Sequence, residues 1–247
     1  MRFQNYLVPQ MRDMHRFHLD GPEECTPILM QSFATQALAG MFNVPDYSNW
    51  LSTASHTATY RYHRQALQAL QWKYPGQRWL LKSPDHIAAI GSILETYPDA
   101  CLVHMHRDPV KSVSSWASLN QAFRGIYMKS VDPKDVGIQV LNRLSSDMRD
   151  YLEQRKKCNP ERFFDLQYSD LVKDPLASLQ RIYRHFSLVL GDDALVRMEK
   201  YLAEERQSKT LHRYTPHDFG LSVLQIRQSF GMYIDTFSIP PENSSKP

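Results

Sequence analysis

The chain has 247 residues, 42% of them hydrophobic and 22% charged, a balance that fits one large globular domain with a sizeable core. A mean hydropathy of -0.49 and the lack of any apolar run near twenty residues exclude a membrane span. Met1 to Gln10 has no signal-peptide core, so a cytoplasmic protein is expected. Three cysteines (Cys25, Cys101 and Cys158) fit neither a disulfide framework nor a zinc site, and a net charge of +3 is too small for a dedicated nucleic-acid binder.

In chain order, residues 1–75 read as mostly helical, best over Pro27 to Phe42 and His63 to Trp72. Five pairs then mark helix starts: Ser83-Pro84, Asp108-Pro109, Asp132-Pro133, Asp174-Pro175 and Thr215-Pro216. Proline suits the first helical position because its missing N–H has no partner there, and the residue before it can accept a bond from the first turn. Short apolar runs over residues 78–82 (RWLLK), 101–106 (CLVHMH) and 162–168 (RFFDLQY) read as buried parallel strands. Between them the spacing predicts a helix from His86 to Tyr97 and one from Pro109, with Val113, Trp116, Leu119 and Phe123 inward. A longer helix carries Val136, Val140, Leu144, Met148 and Tyr151 and ends near Asn159-Pro160. Another starts at Pro175. Strand followed by helix, repeated, indicates an α/β fold with a parallel sheet flanked by helices. Residues 1–239 form a single domain in this reading: a helical part (1–75), an α/β core (76–190) and a helical end (191–239). Residues 240–247 have the composition of a disordered tail.

Arg107 falls at the carboxyl end of the second strand, with Ser112, Ser114 and Ser115 in the first turns of the helix that follows. In an open α/β sheet ligands bind at that edge, and a helix N-terminus offers free N–H groups to an anion. Arg107 and Ser115 can therefore grip one phosphate; alternatively Arg107 pairs with a neighbouring carboxylate and the serines are ordinary helix surface. Lys82 ends the preceding strand and would face the same crevice, unless it is simply solvated. Arg61, Arg64, Lys73 and Arg78 lie among aromatics, but such a mixture is more often a solvated face over a core than a nucleic-acid site.

Taken together, Leu-Lys-Ser-Pro-x-His (81–86), Arg-Asp-Pro with a serine eight residues after the arginine (107–115), Tyr-Ser-Asp-Leu-Val-x-Asp-Pro (168–175) and the segment from His212 to Leu221 resemble the sulfotransferases that use 3′-phosphoadenosine 5′-phosphosulfate (PAPS), in their bacterial-type branch. The resemblance runs over roughly residues 18–237. It implies a P-loop-like fold, PAPS as co-substrate, no metal, and transfer of a sulfuryl group to a hydroxyl or amine of a small-molecule or carbohydrate acceptor. It also implies that Arg107 and Ser115 hold the 3′-phosphate, that Tyr168 contacts the adenine, that Arg213 lies on the cofactor, and that Lys82 stands near the transferring group. The general base is left open between His86 and His15, His18, Glu23 or Glu24. Trp50, Tyr60, Tyr62, Phe123 and Tyr127 could line the acceptor pocket or belong to the core.

One element of the family is missing. None of the nine glycines sits in the Pro-x-Ser-Gly-Thr-Thr loop that cradles the 5′-phosphosulfate, and Gly21 to Thr26 is acidic. The first strand, loop and helix of the family are expected to be absent, and with them most of the turnover of this chain alone. A non-catalytic nucleotide-binding module of the same fold is the alternative, and a P-loop kinase is a more distant one, with no Gly-Lys-Ser or Gly-Lys-Thr step.

Overall fold

The structure is a computed structural model and describes residues 21–205 and 214–242. Among the described residues four helices come first: α1 (Thr26–Met30), α2 (Gln36–Met41), α3 (Pro45–Thr53) and α4 (Thr57–Lys73). A 3₁₀ turn over Pro84–Ala89 leads into α5 (Ile90–Thr96), strand β1 (Leu102–His106), α6 (Pro109–Tyr127) and the long α7 (Pro133–Arg155). Strand β2 (Phe163–Gln167) is followed by α8 (Tyr168–Lys173), α9 (Pro175–His185) and α10 (Asp192–Glu205). A 3₁₀ turn over Pro216–Phe219 precedes α11 (Val223–Ser229) and α12 (Gly231–Phe237). Among the described residues no helix is long and apolar enough to cross a membrane.

All five proline-marked starts are helical, α or 3₁₀. The side chains of Ser83, Asp108, Asp132 and Asp174 each accept a backbone N–H of the first turn, while Thr215 and Asp218 form a reciprocal capping box. β1 and β2 pair in parallel, from Leu102 opposite Phe163 to His106 opposite Gln167, so their carboxyl ends emerge side by side. The core lies around α6 and α7: Val113, Ala117, Val136, Val140, Leu141 and Tyr151 are buried with Phe163 of β2 and with Phe219, Ile226, Phe230 and Tyr233 from the C-terminal helices. Gly137 is required there, because a Cβ at that position would lie 2.2 Å from the carbonyl oxygen of Phe219.

The structure departs from the sequence reading in several places. Residues 78–82 form neither strand nor helix, and Leu80 is 98% exposed. A short apolar run becomes a strand only if a neighbour takes its backbone groups; here the Lys82 carbonyl accepts the Cys25 N–H, and the described sheet has two strands rather than three. Pro27 to Phe42 is two helices, because the chain turns through Phe33 at φ 52° and Thr35 starts α2 as its N-cap. α7 ends at Arg155, before Asn159-Pro160. Ser118, which is not on the predicted inward stripe of α6, is also buried. At the end of the domain, Glu242 is hydrogen-bonded to Arg107 and Asp108 in the turn between β1 and α6.

Candidate functional site at the strand ends

Because β1 and β2 end in register, the residues just beyond them, Arg107 and Tyr168, come together. The Arg107 guanidinium carbon lies 4.1 Å from the centre of the Tyr168 ring, a cation–π contact. The Arg107 backbone N–H donates to the Tyr233 hydroxyl at 3.3 Å, which ties the strand end to α12. Asp108 caps α6 through the Val110 N–H at 3.0 Å, and its other oxygen accepts from Arg227 at 3.1 Å. Arg107 itself is paired: Nε and Nη2 donate to the two carboxylate oxygens of Glu242 at 2.9 and 3.1 Å.

Lys82, His86, Arg107 and Ser112 all line one cleft of about 1030 Å³, whose walls include Trp79, Leu81, Leu102, Ile182 and Phe186. Lys82 is ion-paired with Glu24, one of the base candidates, so a carboxylate stands beside the ammonium that lines the cleft. His86 Nδ1 meets the buried Tyr60 hydroxyl at 2.6 Å. Burial, then the nearby His63 and Lys82, push the His86 imidazole down to about 4, which keeps it neutral at neutral pH. Burial also holds the Tyr60 phenol well above its ordinary value.

A second group of polar side chains lies along the inner part of the sheet. His106 Nε2 contacts Asp165 at 2.8 Å, and Arg155 donates to both Asp165 oxygens at 2.6 Å. His104 Nδ1 meets the Tyr151 hydroxyl at 2.9 Å, and burial followed by the neighbouring His106 takes the His104 imidazole down to about 3. Potential ligand atoms of His104, His106 and Asp165 lie within 4.8 Å of one another, a spacing that a metal ion could use. Yet the carboxylate already holds the Arg155 guanidinium, so a cation bound there would have to displace it. The geometry reads as a network that fastens β1, β2 and α7 together.

The structure thus unites Arg107 with Tyr168, and Lys82 with His86 and Arg107 around one cleft. Ser115 is half-buried in the second turn of α6 and is not part of the cleft wall. Arg213, His15 and His18 lie outside the described residues, and Glu23 is exposed and accepts the Glu24 N–H. Of the aromatic candidates for an acceptor pocket, Tyr60 lines the cleft; Trp50 and Tyr62 are largely exposed and Phe123 packs beside Ala122. Sequence reasoning missed Glu242 and Tyr233. Their contacts reach across 135 and 126 residues, and no local pattern signals them.

A family model described as the sulfotransferase family matches residues 2–192, well over half of the chain. The chain belongs to the sulfotransferase family. Its curated relatives include the omega-hydroxy-beta-dihydromenaquinone-9 sulfotransferases Stf3 of Mycobacterium bovis and Mycobacterium tuberculosis, each 33% identical over 164 residues. Those alignments cover 64% of this chain and 40% of each relative, so the chain spans less than half the length of these sulfotransferases. Among solved structures, sulfotransferase STF9 of Mycobacterium avium aligns with TM-score 0.84 and 28% identity, over 97% of this chain and 65% of that one. Sulfotransferase STF1 of Mycobacterium tuberculosis aligns with TM-score 0.77 and 30% identity, over 94% of this chain and 62% of that one. The family and the α/β fold expected for it are therefore in agreement.

Proposed function

We propose that this chain works in sulfuryl transfer from PAPS to a hydroxyl or amine of a small molecule, and that residues 107 and 168 hold the nucleotide half of the donor. The observation that carries this reading is the Arg107 guanidinium lying over the Tyr168 ring at the paired carboxyl ends of two parallel strands. A guanidinium offers a fork of donors to a phosphate, and an adjacent ring offers a stacking face to a purine. The start of α6 brings its N–H groups to the same edge. Ser115 is assigned to the phosphate with Arg107, and Arg213 to the cofactor.

PAPS, when bound, supplies the activated sulfuryl group; this chain's residues orient it and handle the acceptor's proton. Lys82, in the cleft shared with Arg107, is the cation for charge developing on the transferred group. His86, neutral and in the same cleft, is assigned as the base, with Glu24 beside Lys82 as the competing candidate. The apolar walls of the cleft favour an apolar acceptor, and the Stf3 relatives are named for a hydroxylated menaquinone derivative, which favours a hydroxyl as nucleophile.

Calorimetric titration of adenosine 3′,5′-bisphosphate, the desulfated donor, tests the nucleotide site. Arg107→Ala should lower affinity at least about 100-fold, since it removes charge-assisted bonds to a dianion. Equal affinities in the wild type and a well-folded Arg107→Ala chain would refute the assignment.

A further inference from the structure

The guanidinium assigned above to a phosphate already has an anion. Glu242 presents both carboxylate oxygens to Arg107 Nε and Nη2 at 2.9 and 3.1 Å, the two-point geometry in which arginine also takes a phosphate. The approach is held in place from several directions. Ile239 is buried, and its N–H donates to the Ile234 carbonyl at 3.0 Å, which anchors the segment to α12. The Glu242 N–H then donates to Asp108 at 2.8 Å, so one residue grips two consecutive positions of the turn between β1 and α6. Pro240 and Pro241 lie between these anchors and restrict the backbone, which lowers the entropy lost on docking. The pair is nonetheless open to water: the Arg107 and Glu242 side chains are 35% and 28% exposed, so a competing anion can reach it.

We propose that Glu242 is an internal competitor for the phosphate subsite: the 240–242 segment closes over Arg107, and a nucleotide phosphate binds only when Glu242 leaves. This inference rests on the nucleotide reading of Arg107 and Tyr168. The apparent affinity for the nucleotide then equals the intrinsic affinity reduced by the fraction of chains in which the segment is open. A dianionic phosphate group outbids the carboxylate by charge, while the carboxylate has the advantage of being tethered.

The test is titration of adenosine 3′,5′-bisphosphate into the full-length wild type, Glu242→Gln, Glu242→Ala and Arg107→Ala, with thermal melts to show that each is folded. Both Glu242 variants should bind about tenfold or more tightly than the wild type, and Arg107→Ala should lose binding. Saturating nucleotide should also speed hydrogen exchange of the Glu242 amide in the wild type, because Asp108 no longer holds it. Equal affinity in the wild type and both Glu242 variants, with binding still dependent on Arg107, would overturn the competitor and leave the site standing. Absence of binding in every variant would overturn the nucleotide reading, and the competitor with it.

Discussion

Asp165→Ala should be among the more damaging single changes in the sheet. Asp165 lies opposite His104 in the β1–β2 register and accepts three charge-assisted contacts, one from His106 at 2.8 Å and two from Arg155 at 2.6 Å. Burial alone would raise the Asp165 carboxyl, but the bonds from His106 and Arg155 outweigh it and hold the group well below the usual carboxylate range. Removing the carboxylate leaves Arg155 with the Tyr151 hydroxyl at 2.9 Å and the ring faces of Phe163 and Phe237, none of which carries a counter-charge. Bonds to charged groups are each worth about 1.5–3 kcal/mol, but Asp165 is 38% exposed and water replaces part of what is lost, so a total near 2–4 kcal/mol is expected. Asp165→Asn keeps one acceptor oxygen and should cost about half as much. Urea unfolding at pH 7 measures both values, with Asp170→Ala as a control, since the Asp170–Arg181 pair lies on the surface and should be worth less than about 0.5 kcal/mol. If Asp165→Ala costs no more than that control, the network does not fasten the strands as argued.

Gly137→Ala should destabilise the fold by about 3 kcal/mol or more, because the new Cβ would lie 2.2 Å from the Phe219 carbonyl oxygen and 2.8 Å from its Cβ, so backbone must shift. A melting temperature unchanged from the wild type would contradict that contact. Stability should fall on acidification below about pH 6.5. The half-buried His86 and His104 titrate at about 4 and about 3 in the fold, against an ordinary 6.5, so the unfolded chain takes up protons first. The contribution is therefore intact above about pH 6.5 and is lost progressively down to about 4 for His86 and about 3 for His104. Melting temperatures recorded from pH 7 to pH 4 check it, and a flat or rising curve over that range would refute it.

Helix starts were legible because N-capping is local: Ser or Asp before proline satisfies an orphan N–H within three residues wherever it occurs. β1 and β2 were legible for a related reason, since each short apolar run leads directly into a helix. Residues 78–82 carried the same local pattern without forming a strand, because strand formation depends on a neighbour that the run itself does not contain. Arg107 and Tyr168 could be found as residues at strand ends. The competing possibility, that Arg107 pairs with a carboxylate, was visible as a possibility but its partner was not. Glu242 sits in a Pro-Pro-Glu stretch whose composition signals disorder, and docking it depends on Ile239 being buried.

The C-terminal helices do more than complete the core. Tyr233 of α12 contacts His106 Nδ1 at 3.2 Å and accepts the Arg107 N–H, and the Phe237 carbonyl accepts the Gln167 side chain at 2.9 Å. One helix therefore holds the ends of both strands, His106 of β1 with Arg107 just beyond it and Gln167 of β2, and the Glu242 segment leaves directly from it. The distance between Arg107 and Tyr168 is then set from two sides, by the Asp165–Arg155 network within the sheet and by α12 at its edge. A loosened α12 would move the Arg107 turn and the Glu242 segment together, since Tyr233 holds the first and the second follows the helix directly. In this molecule the pairing of Arg107 with Glu242 is therefore a property of the C-terminal packing, and the affinity of the site should follow the stability of that packing as much as the charge on Arg107.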